Sequence, residues 1–237
     1  MKLDNEKLYA LLKQKNISNL FHANTVATSI TFIEEGGLLS RHYIEERGLY
    51  QTPQTSDDID KLFDVFKDIF LDTADLHKHF SRQNHYGPVL FKFRLELLLN
   101  EEIEIWVTKD NPINWEHDSA SEEKYFINVM ELSEKWDKYD LQRKMFTIRK
   151  PGKPILFDYL EEIILDNPKV KINENISLRQ ESRIALQKTV EKTSSLKNLL
   201  SWRECGHCFC HDNYLNQVKT PELIQKFLPI YHAEFEK

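Results

Sequence analysis

The chain has few of the residues that build extended or repetitive structures. Its 237 residues include 6 glycines and 8 prolines, and no heptad pattern is sustained, which excludes a collagen-like or coiled-coil rod. Apolar runs are also short, because Val89–Phe91 is followed at once by Lys92. No stretch approaches the roughly 18 apolar residues that span a membrane. We therefore expect no membrane partner.

Positive charge and cysteine are scarce as well. The chain has 32 Lys and Arg against 38 Asp and Glu, so its formal net charge is −6. This excludes a polybasic nucleic-acid clamp and leaves phosphate contact to a local basic patch. The cysteines are Cys205, Cys208 and Cys210, and an odd, clustered set makes a poor disulfide framework. We expect a reducing, cytoplasmic setting in which these thiols are free or bind a metal.

Several familiar enzyme signatures are missing. The chain has no G-x-x-x-x-G-K-[ST], G-x-G-x-x-G, G-x-S-x-G or H-E-x-x-H motif, so a P-loop NTPase, a Rossmann dehydrogenase and an α/β-hydrolase are disfavoured. What is present is enough apolar material for a core, at 41% of residues. Short helices and strands joined by irregular loops predict an α+β fold with a mainly antiparallel sheet. We expect a single domain over residues 1–237, with residues 201–237 as a Cys/His-containing C-terminal appendage.

Hydrophobic periodicity places the main elements. Strands are predicted over residues 19–23, 88–99, 103–108 (as the neighbour of 88–99) and 155–165. Helices are predicted over residues 1–16, 25–35, 57–71, 177–200 and 220–235. Thr25 is a good N-cap for the second helix, and Gly36 can end it.

Two segments in the first half of the chain carry polar groups suited to binding. His22 ends the first strand, and the following helix leads to Ser40 and Arg41. Residues 77–86 are the densest basic stretch of an acidic chain, and its Arg82 and Tyr86 are suited to gripping a pyrophosphate or a ribose. The alternatives are a histidine hydrogen-bonded at a strand end and a solvated polar loop.

A third segment places two acids in a predicted strand. Alternation along the strand sends Glu161 and Glu162 to opposite faces. An unpaired buried carboxylate is costly, so one of them is expected in a cleft or in a salt bridge. The alternative is an edge strand on which both acids are solvated.

Taken in order, these segments resemble the DarT-like nucleic-acid ADP-ribosyltransferase toxins, a group that includes the CmdT-like phage-defence enzymes. The resemblance rests on L-F-H at residues 20–22, G-G-L-L-S at 36–40, F-S-R at 80–82 and E-I-I-L at 162–165. It spans residues 20–165. It implies an ADP-ribosyltransferase-like split antiparallel sheet with peripheral helices, and NAD as substrate.

The resemblance also implies an activity and a role for each matching residue. ADP-ribose would pass from NAD to a base of mRNA or single-stranded DNA, releasing nicotinamide through an oxocarbenium-like state. The catalytic residues would be Glu162, with Glu161 as the fallback, and Arg82. The cofactor-binding residues would be His22, Asn24, Thr25, Ser40, Arg41 and Tyr86.

Partners follow from the same resemblance. Relatives of this kind are toxins of toxin–antitoxin or phage-defence systems, so a neutralising antitoxin or chaperone is expected. A local track for single-stranded nucleic acid is expected from the 77–85 loop together with four cations; the alternative for these cations is a solvated face. The cations are Lys144, Arg149, Lys150 and Lys153.

The cysteine cluster offers a separate function. Cys205, Cys208, Cys210 and His211 supply up to four zinc ligands, and His207 or His232 is an alternative ligand to complete a tetrahedron. A reduced thiol cluster packed near the core, or redox chemistry at an exposed thiol, are the other interpretations. A zinc-stabilised interaction module without catalysis is therefore the alternative to the transferase.

A third hypothesis is a metal-dependent hydrolase. It places a divalent metal on two carboxylates and two imidazoles of the polar segment that follows the predicted 57–71 helix. These residues are Asp72, Asp75, His77 and His79.

Overall fold

The computed structural model describes residues 1–193 and 195–235. The strands are β1 Asn19–Asn24, β2 Gly37–Leu38, β3 Ile69–Leu71, β4 Val89–Arg94, β5 Ile105–Val107, β6 Phe146–Ile148, β7 Ile155–Leu156, β8 Leu160–Leu165, β9 Lys171–Ile172, β10 Ile176–Ser177 and β11 Leu200–Trp202. The α-helices are α1 Asn5–Gln14, α2 Val26–Glu35, α3 Arg41–Glu46, α4 Asp57–Leu62, α5 Leu76–Phe80, α6 Ser121–Lys124, α7 Val129–Glu134, α8 Leu178–Val190, α9 Cys210–Gln217 and α10 Thr220–Phe227. The predicted α+β class is confirmed.

Two sheets meet beside β1. The larger has the order β1-β4-β8-β11, antiparallel except for the β8–β11 pair, and the smaller is antiparallel with the order β3-β6-β5. An isolated bridge between Phe21 and Asp72 links β1 to the residue that follows β3. The two sheets are therefore joined edge to edge by an isolated backbone bridge.

The second helix fixes the end of β1. The Thr25 hydroxyl accepts a hydrogen bond from the Thr28 N–H, and Gly36 ends the helix in a left-handed conformation at φ +76°. Both features match the sequence-based prediction, because capping signals act over only a few residues. The same helix packs Phe32 and Ile33 into the main core.

The apolar residues form two cores. The main one fills the space between the larger sheet and the helices on it, and includes the fully buried Phe91 and Phe93 of β4. The second lies in the C-terminal part, and its members are Val170, Ile172, Leu178, Cys205, Cys210, Tyr214, Leu223, Phe227 and Leu228. This second core begins at residue 170, before the predicted appendage at residue 201. Helix α8 joins the cores, with Leu178 in the second and Leu186 in the main one.

Several predicted elements are shorter or paired differently. The helix predicted over 57–71 is confirmed only for its first part: α4 ends at Leu62, Asp64 takes a left-handed φ of +57°, and β3 follows. The 88–99 strand stops at Arg94, and its neighbours are β1 and β8, whereas β5 pairs with β6. The 155–165 strand is interrupted at residues 157–159. The helices predicted over 177–200 and 220–235 end at Val190 and Phe227. Residue 194 lies outside the described residues.

Within residues 1–193 and 195–235, each helix is too short or too polar to cross a lipid bilayer.

Candidate functional site

A cavity of about 410 Å³ lies beside the junction of the two sheets. The end of β1, strand β3, the segments around α3 and α4, and part of α10 line it. Its size falls within the range of small-molecule sites, and its lining mixes aromatic and aliphatic groups with a few polar side chains. Five of the six predicted cofactor-binding residues contribute to it. These are His22, Asn24, Thr25, Arg41 and Tyr86.

His22 is held as a neutral imidazole. Its Nδ1 lies 2.8 Å from the carbonyl oxygen of Phe70, which can only accept, so Nδ1 carries the proton. Burial lowers the pKa of His22, and the positive charge of Arg41 lowers this pKa further. The remaining ring nitrogen, Nε2, is a buried acceptor without a partner among the described residues. An unpartnered acceptor at the cavity margin is suited to receive a hydrogen bond from a ligand hydroxyl.

Arg41 and Thr25 are positioned by neighbours. The Arg41 guanidinium forms a two-point contact with Asp57, at 2.5 Å from Nε to Oδ1 and 2.7 Å from Nη2 to Oδ2. Its Nη2 also donates to the carbonyl of Thr52 at 3.1 Å. The Thr25 hydroxyl lies 2.7 Å from that of Thr52. These contacts immobilise one side of the cavity, which lowers the cost of ordering it around a ligand.

Tyr86 is brought to the cavity by the glycine that follows it. Gly87 has φ +149°, and a Cβ there would lie 2.2 Å from the backbone of Asn24, so only glycine permits this close approach. The Tyr86 hydroxyl accepts a 3.4 Å hydrogen bond from Asn111 Nδ2. Burial, and then the nearby charge of Asp72, raise the pKa of Tyr86 to about 12. The phenol therefore stays protonated and can donate.

Carboxylates also line the cavity, and they differ in their partners. Asp68 pairs with Arg149 at 2.5 Å, and Asp60 accepts from the Ser56 hydroxyl at 3.0 Å. Asp72 has no hydrogen-bond or ion-pair partner for its carboxylate among the described residues. Burial alone raises the pKa of Asp72 to about 7. The sequence predicts Asp72 only as a metal ligand of the hydrolase hypothesis.

The predicted catalytic acid does not line this cavity. Glu162 is in register with Lys92 and Phe21, whereas His22 is in register with Phe91 and Ile163. Because successive residues of a strand face opposite sides, Glu162 projects to the face opposite that of His22. Its carboxylate lies 3.7 Å from Lys92 Nζ, which also binds Glu161 at 3.0 Å. Of the two expectations for this strand, a cleft or a salt bridge, the salt bridge describes both glutamates.

Arg82 and Ser40 also lie outside the cavity lining. The Arg82 guanidinium sits over the ring of Phe80 at 4.9 Å, and its Nη1 is 3.1 Å from Nε2 of His85. His85 does line the cavity, so Arg82 reaches it only through that ring. The Ser40 hydroxyl caps α3 by accepting from the Tyr43 N–H. The resemblance assigns His22, Arg82 and Glu162 to one site, but only His22 of the three lines the cavity.

A second candidate site is a cluster of one imidazole and three thiols. The ligand atoms of His77, Cys205, Cys208 and Cys210 all lie within 4.8 Å of one another. His77 Nε2 is 3.4 Å from Cys208 Sγ and 3.9 Å from Cys205 Sγ. A tetrahedral zinc ion with ordinary bond lengths separates its ligand atoms by roughly 3.5–3.8 Å. This cluster can hold a metal.

The surroundings of the cluster favour a cation at its centre. Hydrogen bonding by Cys210, together with that by His77, lowers the pKa of Cys205 to about 4, and the Asn167 N–H contacts the same sulfur at 3.3 Å. Burial lowers the pKa of His77, but its bonds to Asp166 and Cys205 outweigh burial and raise it to about 10. The protonated ring thus supplies positive charge to the sulfurs, which is what a bound metal would supply instead.

The imidazole is oriented by a chain of charged neighbours. Asp166 accepts at 2.7 Å from Nδ1 of His77, and its other oxygen lies 2.5 Å from Nε of Arg203. Arg203 also pairs with Asp75 at 2.7 Å. A carboxylate behind a ligating histidine is the usual arrangement of protein metal sites, because it fixes the ring and raises its basicity.

The predicted ligand His211 is replaced by His77. His211 follows Cys210 in α9, and neighbouring helix residues point about 100° apart. Its Nδ1 instead bonds the carbonyl of Pro168 at 2.7 Å.

The metal ligands predicted for a hydrolase do not come together either. Asp75 binds Arg203, and of the four predicted ligands only His77 belongs to the cluster found among the described residues. The His-rich character of residues 76–86 was the one signal for His77, but no local spacing joins it to Cys205.

The predicted basic track for nucleic acid is largely neutralised. Lys144 is buried, and its ammonium donates to the carbonyls of Trp136 and Tyr139. The other three cations each pair with an acid: Arg149 with Asp68, Lys150 with Asp64, and Lys153 with Glu102. In contrast, Lys78 and Arg82 have no acidic partner in the part of the chain that is described.

Comparison with known proteins adds no name to these sites. No protein-family model matches the chain, and no curated protein matches its sequence.

Proposed function

We propose that the cavity binds NAD and that the protein transfers ADP-ribose to a nucleic-acid acceptor, with release of nicotinamide. The observation that carries the proposal is the grouping of His22, Arg41 and Tyr86, remote in sequence, around one cavity at the junction of two antiparallel sheets. This junction is compatible with the split sheet of ADP-ribosyltransferases. Such a protein would be the toxin of a defence system and would need a neutralising antitoxin or chaperone.

The polar groups of the cavity suit a ribose-containing ligand. Nε2 of His22 offers an acceptor and the Tyr86 hydroxyl offers a donor, and Arg41, paired with Asp57, lies at the same cavity. The apolar lining, which includes Phe32 and Leu39, suits a nicotinamide or adenine ring. Together these groups match a ligand with hydroxyls and flat rings.

The acceptor side is assigned to α5 and the start of the segment that follows it. Lys78 of α5 and Arg82 just after the helix have no acidic partner among the described residues, and the Arg82 guanidinium lies over the part-exposed ring of Phe80. Cations interleaved with an aromatic ring are suited to a single strand, since every base has a face to stack. The acidic total of the chain makes this contact weak and dependent on salt.

The decisive experiment incubates the purified protein with labelled NAD and with separate pools of protein, DNA and RNA. We expect label in a nucleic-acid pool. His22→Asn keeps a donor to Phe70 but deletes the Nε2 acceptor, so it should weaken NAD binding by calorimetry and reduce labelling. The matched control is His117→Asn, at an exposed residue that does not line the cavity. A wild-type protein that binds no NAD and labels no pool overturns the proposal.

A second function is carried by the cysteine cluster. We propose that His77, Cys205, Cys208 and Cys210 bind one zinc ion, which stabilises the C-terminal core that contains two of these cysteines. The three free thiols support the proposed reducing, cytoplasmic setting. The test is metal analysis of protein purified without chelator, with one zinc per chain expected. Metal-free protein that takes up no added zinc contradicts it.

If zinc binds and no pool is labelled, the non-catalytic interaction module becomes the better description of the protein. The two experiments therefore separate the two functions.

A further inference from the structure

Asp72 occupies a fixed place at the junction of the sheets. Its N–H and its carbonyl both bond the backbone of Phe21 at 2.8 Å. This bridge lies outside the regular ladders, and Asp72 is one of the residues that line the cavity. The next residue of β1 is His22, and Tyr86 is close enough to feel the charge of Asp72.

The carboxylate of Asp72 is the one cavity carboxylate of the described chain that nothing satisfies. Asp68 has Arg149, Asp60 has the Ser56 hydroxyl, and Glu222 has Lys226 at 3.5 Å. A partly buried carboxylate without a partner is unfavourable for folding, and it indicates a group kept for a ligand.

We infer that Asp72 is the catalytic carboxylate of this cavity: it accepts hydrogen bonds from ribose hydroxyls of the bound dinucleotide and receives the proton of the acceptor. The inference rests on the proposed function, and it moves the role expected of Glu162 to a residue that lines the cavity. It also explains why a carboxylate stands unpaired beside the histidine and the tyrosine.

The step balances as follows. The bond between C1′ of the ribose and the nicotinamide nitrogen breaks, and nicotinamide leaves as a neutral molecule with both bonding electrons. A nitrogen or oxygen of the acceptor forms the new bond to C1′. The proton of that atom passes to Asp72 and from there to water. Accepting a proton in this way is ordinary general-base catalysis, which contributes about 10²–10⁴-fold in rate.

The test compares Asp72→Asn with Glu162→Gln in the labelled-NAD assay. Asp72→Asn should lower the transfer rate by about 10²-fold or more, while Glu162→Gln should retain the wild-type rate. Asp118→Asn, at a fully exposed acid, is the matched control for the chemistry of the substitution. Thermal unfolding checks that each variant is folded. Asp72→Ser is the second variant, to be used if the amide distorts the site.

The outcomes separate the inference from the function beneath it. Wild-type protein that binds no NAD overturns the transferase and the role of Asp72 together. If the wild type transfers ADP-ribose and folded Asp72→Asn and Asp72→Ser do so equally well, only the role of Asp72 is overturned. Loss of transfer in Glu162→Gln with full activity in Asp72→Asn returns the role to Glu162.

Discussion

The cavity and the cysteine cluster differ in whether their polar side chains have hydrogen-bond or ion-pair partners. In the cluster each charged neighbour is satisfied: Asp75 and Asp166 bind Arg203, and Asp166 also binds His77. In the cavity, Nε2 of His22 is buried without a partner, and no hydrogen bond or ion pair joins the half-buried Asp72 carboxylate to the described residues. Closed sets of ligands are typical of structural metal sites, whereas open polar groups are typical of sites that bind and react. The difference supports the proposals of a structural metal in one region and a ligand in the other.

The segment between Asp72 and Tyr86 connects the two regions. Both of its ends lie at the cavity, and His77 anchors its middle to the cysteines. Damage to the cluster is therefore expected to reach the cavity, while damage to the cavity should leave the cluster intact.

The largest expected effect is loss of the cluster. Cys210→Ser, or removal of metal by a strong chelator, should lower the free energy of unfolding by about 4 kcal/mol when free zinc stands about 1,000-fold above its Kd. Thermal or denaturant unfolding with and without added zinc measures this. Ser119→Ala, at a surface residue away from the cluster, is the control. Equal stability of the zinc-loaded and zinc-free protein would show that the two regions do not differ in this way.

A smaller effect is expected from the carboxylate behind the histidine. Asp166→Asn keeps the shape of the side chain but weakens its hold on His77, so zinc affinity should fall by about 10–100-fold. Competition with a chelator of known affinity measures the change. Asp158→Asn, at an exposed acid, serves as control. An unchanged zinc affinity would show that Asp166 does not support metal binding by His77.

In the cavity, substitution of the unpaired acid should stabilise the protein. Because burial raises the pKa of Asp72 to about 7, the native state holds this proton more tightly than the unfolded chain does. Wild-type stability is therefore lost as pH rises from about 4 to 7. Asp72→Asn should escape this loss and gain roughly 1–3 kcal/mol above pH 7, with no gain near pH 4. Denaturant unfolding at both pH values checks it, and a gain independent of pH contradicts the assignment.

The smallest effect on the free energy of unfolding is expected from substitution of Glu162. Glu162→Gln removes a part-exposed contact with Lys92, and such contacts contribute about 0–1 kcal/mol. We expect unfolding within about 0.5 kcal/mol of the wild type. Lys92→Gln removes the contacts with both Glu161 and Glu162, and it too should change the free energy of unfolding by at most about 1 kcal/mol. A change above 2 kcal/mol in either would mean that this pair is not a surface contact.

The parts of the fold that local chemistry determines were predictable. Strand β1 and helix α2, with its Thr25 cap and Gly36 end, follow from signals within a few residues. Residues 57–71 have a helical pattern throughout, but their last residues form β3, because pairing with β6 about 80 residues later outweighs local propensity.

The same distinction between local signals and long-range pairing applies to the predicted site residues. Cavity-lining residues were predictable where they end a strand or begin a helix, as with Asn24 and Arg41. Glu162 was misplaced relative to the cavity because its face depends on the register of β8 against β4, which no local pattern determines. His77 was missed as a partner of the cysteines because 128 residues separate it from Cys205.

That separation has a consequence for synthesis. His77 leaves the ribosome 128 residues ahead of Cys205, a delay of roughly 6–26 s at about 5–20 residues per second. Through that interval the imidazole has no sulfur to share a metal with, and the loop between Asp72 and Tyr86 is tethered at its two ends only. The nascent chain therefore completes the cysteine cluster late, after both ends of the segment between Asp72 and Tyr86 have been made.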